Sequence, residues 1–301
     1  METVVRIGTH DGVFHADDVF AVAALQSVYQ NAIVARSRDP EVLDKCHILV
    51  DVGGEYNGET KFDHHQQGRA GERPNGVLYS SFGLVWKRYG EHICGNAEIA
   101  DIIDRRLVQH VDMIDNGQHM FPSAVSPYSG AQQFNISTFV SLMNPRWDEL
   151  SNGDTDEDVQ FYSAVSIAGS ILLRLIAQVR SEMKARNEVR DACLAASEGG
   201  IILMNRSVPW AQAVHDFASK NAKYVVFPDT RGSWMVQAIP VAPGSFKSRK
   251  PLPAEWGGLR DKAFAEKTGV SEGIFCHPNL FICGAKSLSA AMTLASMALT
   301  A

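Results

Sequence analysis

Three short apolar runs near the start of the chain each end in a side chain that can bind a cation. Residues 4–8 lead into Thr9-His10-Asp11-Gly12. The run over 47–52 places Asp51 directly after Ile48-Leu49-Val50, and Lys61-Phe62 runs into Asp63-His64-His65. Short runs of this kind read as strands, and in open α/β sheets ligands gather at the carboxyl ends of the strands. A carboxylate at the edge of an apolar sheet is costly unless a cation or hydrogen bonds offset its charge. Several such groups converging on one edge therefore point to a metal site.

The rest of the pattern supports that architecture. Residues 16–29 carry apolar side chains at helical spacing, 32–35 form another apolar run, and Asp39-Pro40 opens a short helical pattern before the third strand. The first hundred or so residues thus predict an α/β layer with a mainly parallel sheet. Residues 80–89 and 97–114 read as helices with Ser80 or Ser81 as N-cap. Residues 116–158 are rich in Gly, Pro, Ser and Asn and read as a loop-rich excursion. Residues 158–196 have few breakers and predict one long helix or two.

After Glu198-Gly199-Gly200 the pattern changes to a smaller α+β unit. Strands are expected over 201–204, 224–227 and 234–241, a helix starting at Pro209, an apolar closing segment over 273–282 and a last helix over 287–299. The expected division is a catalytic metal-binding domain over 1–158, linking helices over 159–198 and a substrate-binding domain over 199–301. Neither an internal repeat nor a low-complexity tract is visible.

A chain of 301 residues with 45% hydrophobic content can bury the cores of two domains. The net charge of −6 argues against a broadly basic surface that grips duplex DNA non-specifically, while 28 Lys and Arg leave room for a local basic groove. The five cysteines are scattered, odd in number and contain no CxxC pair, so neither a disulfide framework nor a thiolate zinc site is suggested. The N-terminal METVVRIGTHDG is unlike a signal peptide, and Arg174 interrupts the apolar run over 163–179. A cytoplasmic protein without a membrane span is the expectation.

His15 and Asp17 extend the cluster, because Gly12 tightens the loop after His10 and Asp17 starts the following helix. Imidazole and carboxylate together suit Mn²⁺, Zn²⁺ or Fe²⁺ better than Ca²⁺, and a pair of such ions needs a bridging carboxylate, for which Asp51 is the candidate. Taken singly, each group has a plainer reading. Asp17 and Asp18 can favour a helix N-terminus, Asp51 can be a turn residue, and His64-His65 can be a hydrogen-bonded pair. Their combination within 65 residues makes those readings poor together.

Asp63-His64-His65, with Asp51 and the N-terminal His/Asp cluster before it, resembles the DHH phosphoesterase superfamily, which includes RecJ-like nucleases and family II inorganic pyrophosphatases. The strings IGTHDGVFHADD, RSRDP, DVGGEY, FDHHQ, SSFGLVW, VDMIDNG, SFKSRKPLPAEWGGLRD and IFCHPNLFICGAKS more closely resemble the melanocyte proliferating gene family of DHH-like hydrolases and exonucleases. The resemblance implies one metal held by His10, His15 and Asp51 and a second held by Asp17, Asp51, His64 and Asp115. Two Mn²⁺ are implied, with Zn²⁺, Fe²⁺ or Mg²⁺ as alternatives. Asp51, Asp63 and His65 would form the catalytic group, Asp63 orienting a neighbour and His65 facing the substrate phosphate. His15 departs from the superfamily, where an aspartate is common, and Asp112 lies within one turn of Asp115, so either could point inward.

The resemblance further implies a C-terminal domain that binds substrate through basic groups and a glycine-rich loop. Arg249, Lys250, Arg260, His277, Gly284 and Lys286 are the candidates, with His277 and Lys286 flanking a turn at Gly284. Water bridging two cations would attack phosphorus in line. The implied substrate is single-stranded RNA or a short oligonucleotide degraded 3′ to 5′, and a homodimer is compatible with this reading. Alternatives are a phosphatase or pyrophosphatase acting on a small phosphorylated metabolite, a metal-dependent peptide hydrolase, and a metal-binding regulatory module without turnover.

Overall fold

The computed structural model describes residues 4–118, 134–152, 156–196 and 199–301. The chain divides into two units, Met1–Val179 and Arg180–Ala301.

The first unit is α/β. It opens β1 (Arg6–Thr9), α1 (Ala16–Val28), β2 (Ile33–Arg36), α2 (Pro40–Leu43), β3 (Ile48–Val50) and β4 (Lys61–Phe62). The strands form one sheet in the order β2-β1-β3-β4, parallel at every pairing. Parallel strands share one carboxyl edge, so the residues after β1, β3 and β4 emerge side by side. That is the arrangement expected from the three strand-end motifs.

Helix α1 is buried from Ala16 to Leu25. It is apolar nearly all round, as a helix enclosed by other elements must be, and Phe20 meets Phe82 of α3 (Ser81–Cys94) with ring centroids 5.3 Å apart. The chain continues through α4 (Ala97–Ile103), a π-helical segment (Asp104–Val108) and α5 (Gln109–Asp115). Ser80 occupies the N-cap position of α3 but makes no side-chain cap. Its hydroxyl donates instead to Asp112 Oδ1 at 2.6 Å. Asp112 also accepts from the Gly83 N–H at 3.0 Å and from Arg73 at 2.7 Å. A Cβ on Gly83 would lie 2.0 Å from Asp112 Oδ2, so only glycine permits this approach.

The excursion expected over 116–158 contains two short helices, α6 (Ile136–Ser141) and α7 (Trp147–Asn152). Asn135 caps α6 by accepting from Thr138 N at 3.0 Å, which offsets a modest intrinsic helix propensity. The portions of the excursion at 119–133 and 153–155 lie outside the described residues. The long helical pattern is one helix, α8 (Glu157–Ala195). Among the described residues it alone is long and apolar enough to cross a membrane. Its apolar positions have another use within the first unit, where Phe161, Ala164, Val165, Ala168, Leu172, Ile176 and Val179 recur at core spacing and are buried.

The second unit contains β5 (Ile201–Leu203), α9 (Val214–Phe217), β6 (Tyr224–Pro228), β7 (Trp234–Ala238), a 3₁₀ turn (Ala254–Trp256), α10 (Asp261–Thr268), β8 (Gly273–Cys276), β9 (Ile282–Ala285) and α11 (Leu288–Thr300). The sheet order is β5-β6-β7-β9-β8. Only β5 and β6 pair in parallel. Side chains alternate between two cores, as the period of a strand requires. Tyr224 and Val226 face a cluster with Trp256, Phe264 and Leu294, while Val225 faces one with Val189, Trp210 and Ile239.

One expectation for this unit is corrected, and two features go beyond what the sequence showed. No helix begins at Pro209; the helix there starts at Val214. The segment over 273–282 is the strand β8 followed by a turn into β9. Helix α10 was not foreseen, because Asp261–Thr268 carries few apolar side chains to reveal its period.

Candidate metal centre

The carboxyl edge of the first sheet delivers the cluster. His10 follows β1, Asp51 follows β3, and Asp63, His64 and His65 follow β4. Asp51 adopts φ 57°, a left-handed conformation uncommon outside glycine but tolerated by Asp. Its Oδ2 lies 3.3 Å from His10 Nε2 and its Oδ1 3.4 Å from His64 Nε2. The two oxygens of Asp51 thus face different histidines, and Ser81 Oγ donates to Oδ1 at 2.8 Å.

The histidines are oriented by their other ring nitrogen or by neighbours. His10 Nδ1 donates to the Asp11 carbonyl at 3.0 Å, which directs Nε2 inward. His64 Nε2 lies 3.1 Å from Asp115 Oδ2 and 3.7 Å from Asp17 Oδ2, so Asp17, Asp51 and Asp115 surround it. His65 Nδ1 lies 2.8 Å from Asp63 Oδ1. The other Asp63 oxygen accepts from Gly54 N at 2.6 Å.

Helix starts complete the site. His15 is the N-cap of α1, and Asp18 Oδ1 accepts from His15 N at 2.9 Å and Val19 N at 2.8 Å. The helix-start reading therefore holds for Asp18, whereas Asp17 points at the cluster. The loop between His10 and His15 is gripped twice. Arg36 donates to the Gly12 carbonyl at 2.5 Å. Asn144 accepts from Phe14 N and donates to Phe14 O, both at 2.9 Å.

Charge in the cluster is poorly satisfied by protein alone. Asp17 Oδ1, Asp18 Oδ2 and His64 Nε2 are buried without an aligned hydrogen-bond partner. Burial, together with Asp51 and Asp115, holds the Asp17 carboxyl far above its ordinary range. Burial pushes Asp18 up to about 7 despite the opposing pull of His10. For His10 burial works against the proton, but Asp51 and Asp18 outweigh it and raise the group. His64 is likewise raised, to about 10, with Asp115 and Asp51 overcoming burial. Asp51 moves the other way, well below the carboxylate range, because His10, His64 and Ser81 outweigh its burial.

These donors can hold cations. His10, His15 and Asp51 form one set, Asp51, His64 and His65 a second, and His15, Asp17 and Asp115 a third, each with ligand atoms within 4.8 Å of one another. A divalent ion would satisfy the orphaned atoms and remove the carboxylate repulsion. Every residue expected to ligate metal in this unit is thus in the cluster. Asp112 is turned away into its pairing with Arg73, and Asp115 faces His64.

Two cavities meet at the cluster. One, of about 840 Å³, is lined by His64, Arg69, Asp115, Asn116 and Thr138, among others. The other, of about 660 Å³, lies toward α2, and His15, Asp51 and His65 line both. Sequence reasoning gave no site role to Asp18, Ser81, Arg69 or Asn144. Ser81 sits in the quoted SSFGLVW string, and Asp18 adjoins Asp17, so both lay beside a visible signal. Nothing local marked Arg69 or Asn144.

The basic candidates of the second unit have varied surroundings. Arg249 donates to the carbonyls of Ser219 and Ala222 at 3.0 and 3.2 Å, and Lys250 donates to the Leu299 carbonyl at 2.7 Å. Arg260 lies over the Phe275 ring at 5.5 Å. His277 Nδ1 accepts from Asn279 N at 3.1 Å. Lys286 is exposed. Gly284 is not in a turn: it lies within β9, buried and paired opposite Met235 and Phe275.

Residues 6–299 match the MYG1_exonuc family model, described as an uncharacterised protein family (UPF0160). The chain belongs to the MYG1 family. This is the melanocyte proliferating gene family that its motifs resemble. An MYG1 protein of Schizosaccharomyces pombe is 31% identical over 99% of this chain and 98% of its own length. The mouse protein named MYG1 exonuclease is 34% identical over 96% of this chain and 83% of its own, and the human MYG1 exonuclease is 32% identical over 96% and 84%. No solved structure matches the chain.

Proposed function

We propose that this MYG1-family chain is a divalent-metal-dependent phosphoester hydrolase of the DHH type, acting as an exonuclease on single-stranded RNA or short oligonucleotides. The observation that carries the reading is the convergence of His10, His15, Asp17, Asp51, His64 and Asp115, with Asp17 Oδ1 buried and without a hydrogen-bond partner. The relatives named exonucleases supply the polynucleotide part. His10, His15 and Asp51 would hold one ion and Asp17, Asp51, His64 and Asp115 another, with Mn²⁺ the favoured metal.

Bound divalent cations supply acidity to water and neutralise charge gathering on phosphorus. The protein's own part is positional. Asp63 is acceptor-only when ionised, so it fixes the His65 proton on Nδ1 and leaves Nε2 to face the open cavity and the phosphoryl group. Ser81 and His10 hold the Asp51 carboxylate in place, and Arg69 offers its guanidinium to a phosphate in the 840 Å³ cavity. Burial keeps water away from Asp17 and sharpens every charge interaction around it.

The test is incubation with Mn²⁺ and a panel of labelled RNA, DNA, nucleotides and pyrophosphate. Stepwise shortening of RNA, abolished by chelator and by Asp51→Asn, is the expected result. Cleavage of pyrophosphate alone would move the activity to a small substrate, and absence of any phosphoester cleavage would overturn the reading.

A further inference from the structure

The 660 Å³ cavity has no task in the chemistry above, yet it opens on the same cluster. It lies at the point where the sheet reverses its winding. From β1 the chain crosses to β2 on one side, whereas β3 and β4 build on the other, and the crevice outside such a switch point is where open α/β sheets bind ligands. Its walls combine two chemistries. Pro40, Leu43, Leu49 and Val52 are apolar, while Arg38 and Lys61 are cations. The volume is in the range of about 300–1,000 Å³ common for small-molecule sites.

We propose that this cavity is a nucleoside subsite, taking the sugar and base on one side of the scissile phosphate while the 840 Å³ cavity takes the chain on the other. The inference rests on the hydrolase reading above. His15, Asp51 and His65 line both cavities. A phosphodiester lying at those residues can therefore send one substituent each way. The aliphatic wall suits the apolar faces of a base, as hydrophobic linings do in small-molecule sites. Arg38 and Lys61 are anchored by Asp11 and Glu55 through exposed ion pairs. Such exposed pairs contribute little to stability, so the cations can be shared with a phosphate at small cost.

The two-sided arrangement predicts selectivity for a diester flanked by nucleosides over a diester that lacks them. The experiment compares kcat/KM for a ribodinucleotide and for bis(p-nitrophenyl) phosphate with Mn²⁺, in wild type, Arg38→Glu, Arg38→Lys and Lys61→Ala. Arg38 and Lys61 are surface positions, so the variants should fold. The expected result is a tenfold or larger fall in the ratio of the two kcat/KM values for Arg38→Glu, carried by KM. Arg38→Lys should recover most of it, and adenosine monophosphate should inhibit Arg38→Glu more weakly in parallel. An unchanged ratio, or equal losses on both substrates, would overturn the subsite while leaving the hydrolase reading intact. Failure of wild type on both substrates would remove that reading, and the subsite with it.

Discussion

Asp17 should make the metal-free protein less stable than the chain without its charge. The carboxylate is fully buried and one oxygen has no partner, and an unsatisfied buried polar group costs about 1–3 kcal/mol, more when charged. Asp17→Asn keeps the shape and removes the charge. In a unit of 179 residues each kcal/mol moves Tm by about 2–4 °C, so the variant should melt about 2–12 °C higher in chelator at pH 8. The pH dependence has a definite sign. The folded group is raised above its ordinary 3.8, so the wild-type chain has its full contribution below that pH and loses it as pH rises toward the folded value. The advantage of Asp17→Asn should therefore be small near pH 4 and open by up to about 1.4 kcal/mol per pH unit above it.

Metal should reverse the ranking. Mn²⁺ at about 100 times its Kd adds about 2.7 kcal/mol to whatever binds it, and this rise should appear in wild type and shrink in Asp17→Asn. Differential scanning fluorimetry or calorimetry with and without Mn²⁺ reads both effects. A variant less stable than wild type in chelator at pH 8, or one with an undiminished Mn²⁺ shift, would refute the view that Asp17 is held in the fold for a cation.

Cation affinity should rise with pH, because raised His10, His64 and Asp17 hold protons in the metal-free protein that a metal must displace; calorimetric titrations in buffers of different ionisation enthalpy should show net proton release, and pH-independent affinity would count against it. Arg73→Met should destabilise by about 3–5 kcal/mol in urea unfolding by leaving Asp112 buried without its cation, and adding Asp112→Asn should recover part of the loss. Asn144→Ala should weaken Mn²⁺ binding about 10–100-fold, as loss of a ligand-supporting contact does, since both backbone groups of Phe14 depend on that amide. Gly83→Ala should lower Tm and weaken Mn²⁺ binding together, because its Cβ would displace Asp112.

The parallel sheet and its strand-end groups were legible because they are local. A run such as Ile48-Leu49-Val50-Asp51 states both the strand and the group at its edge. Helix-borne groups were harder to read, because their direction depends on register. Asp112 and Asp115 are the same residue type three positions apart, and a π-helical segment just before α5 shifts the register. The second unit was read less well for a related reason. Gly284 suggested a turn by composition, but its missing side chain serves packing, where the Phe275 ring would lie 2.7 Å from a Cβ.

The unread contacts explain why the cluster has its shape. Asp112 is itself a buried acid raised to about 6, burial exceeding the pull of Arg73 and Ser80. It is nonetheless saturated with donors, from Ser80, Gly83 and Arg73. The Ser80 and Gly83 contacts tie α5 to the start of α3, Arg73 ties it to the segment before that helix, and Ser81, the first residue of α3, holds Asp51. The same tie sets the rotation of α5 that brings Asp115 to His64. One acid is thus paired by protein, while its neighbour one turn on faces the cluster where we propose that a cation binds. The division of labour between Asp112 and Asp115, which sequence alone left open, follows from where the donors are.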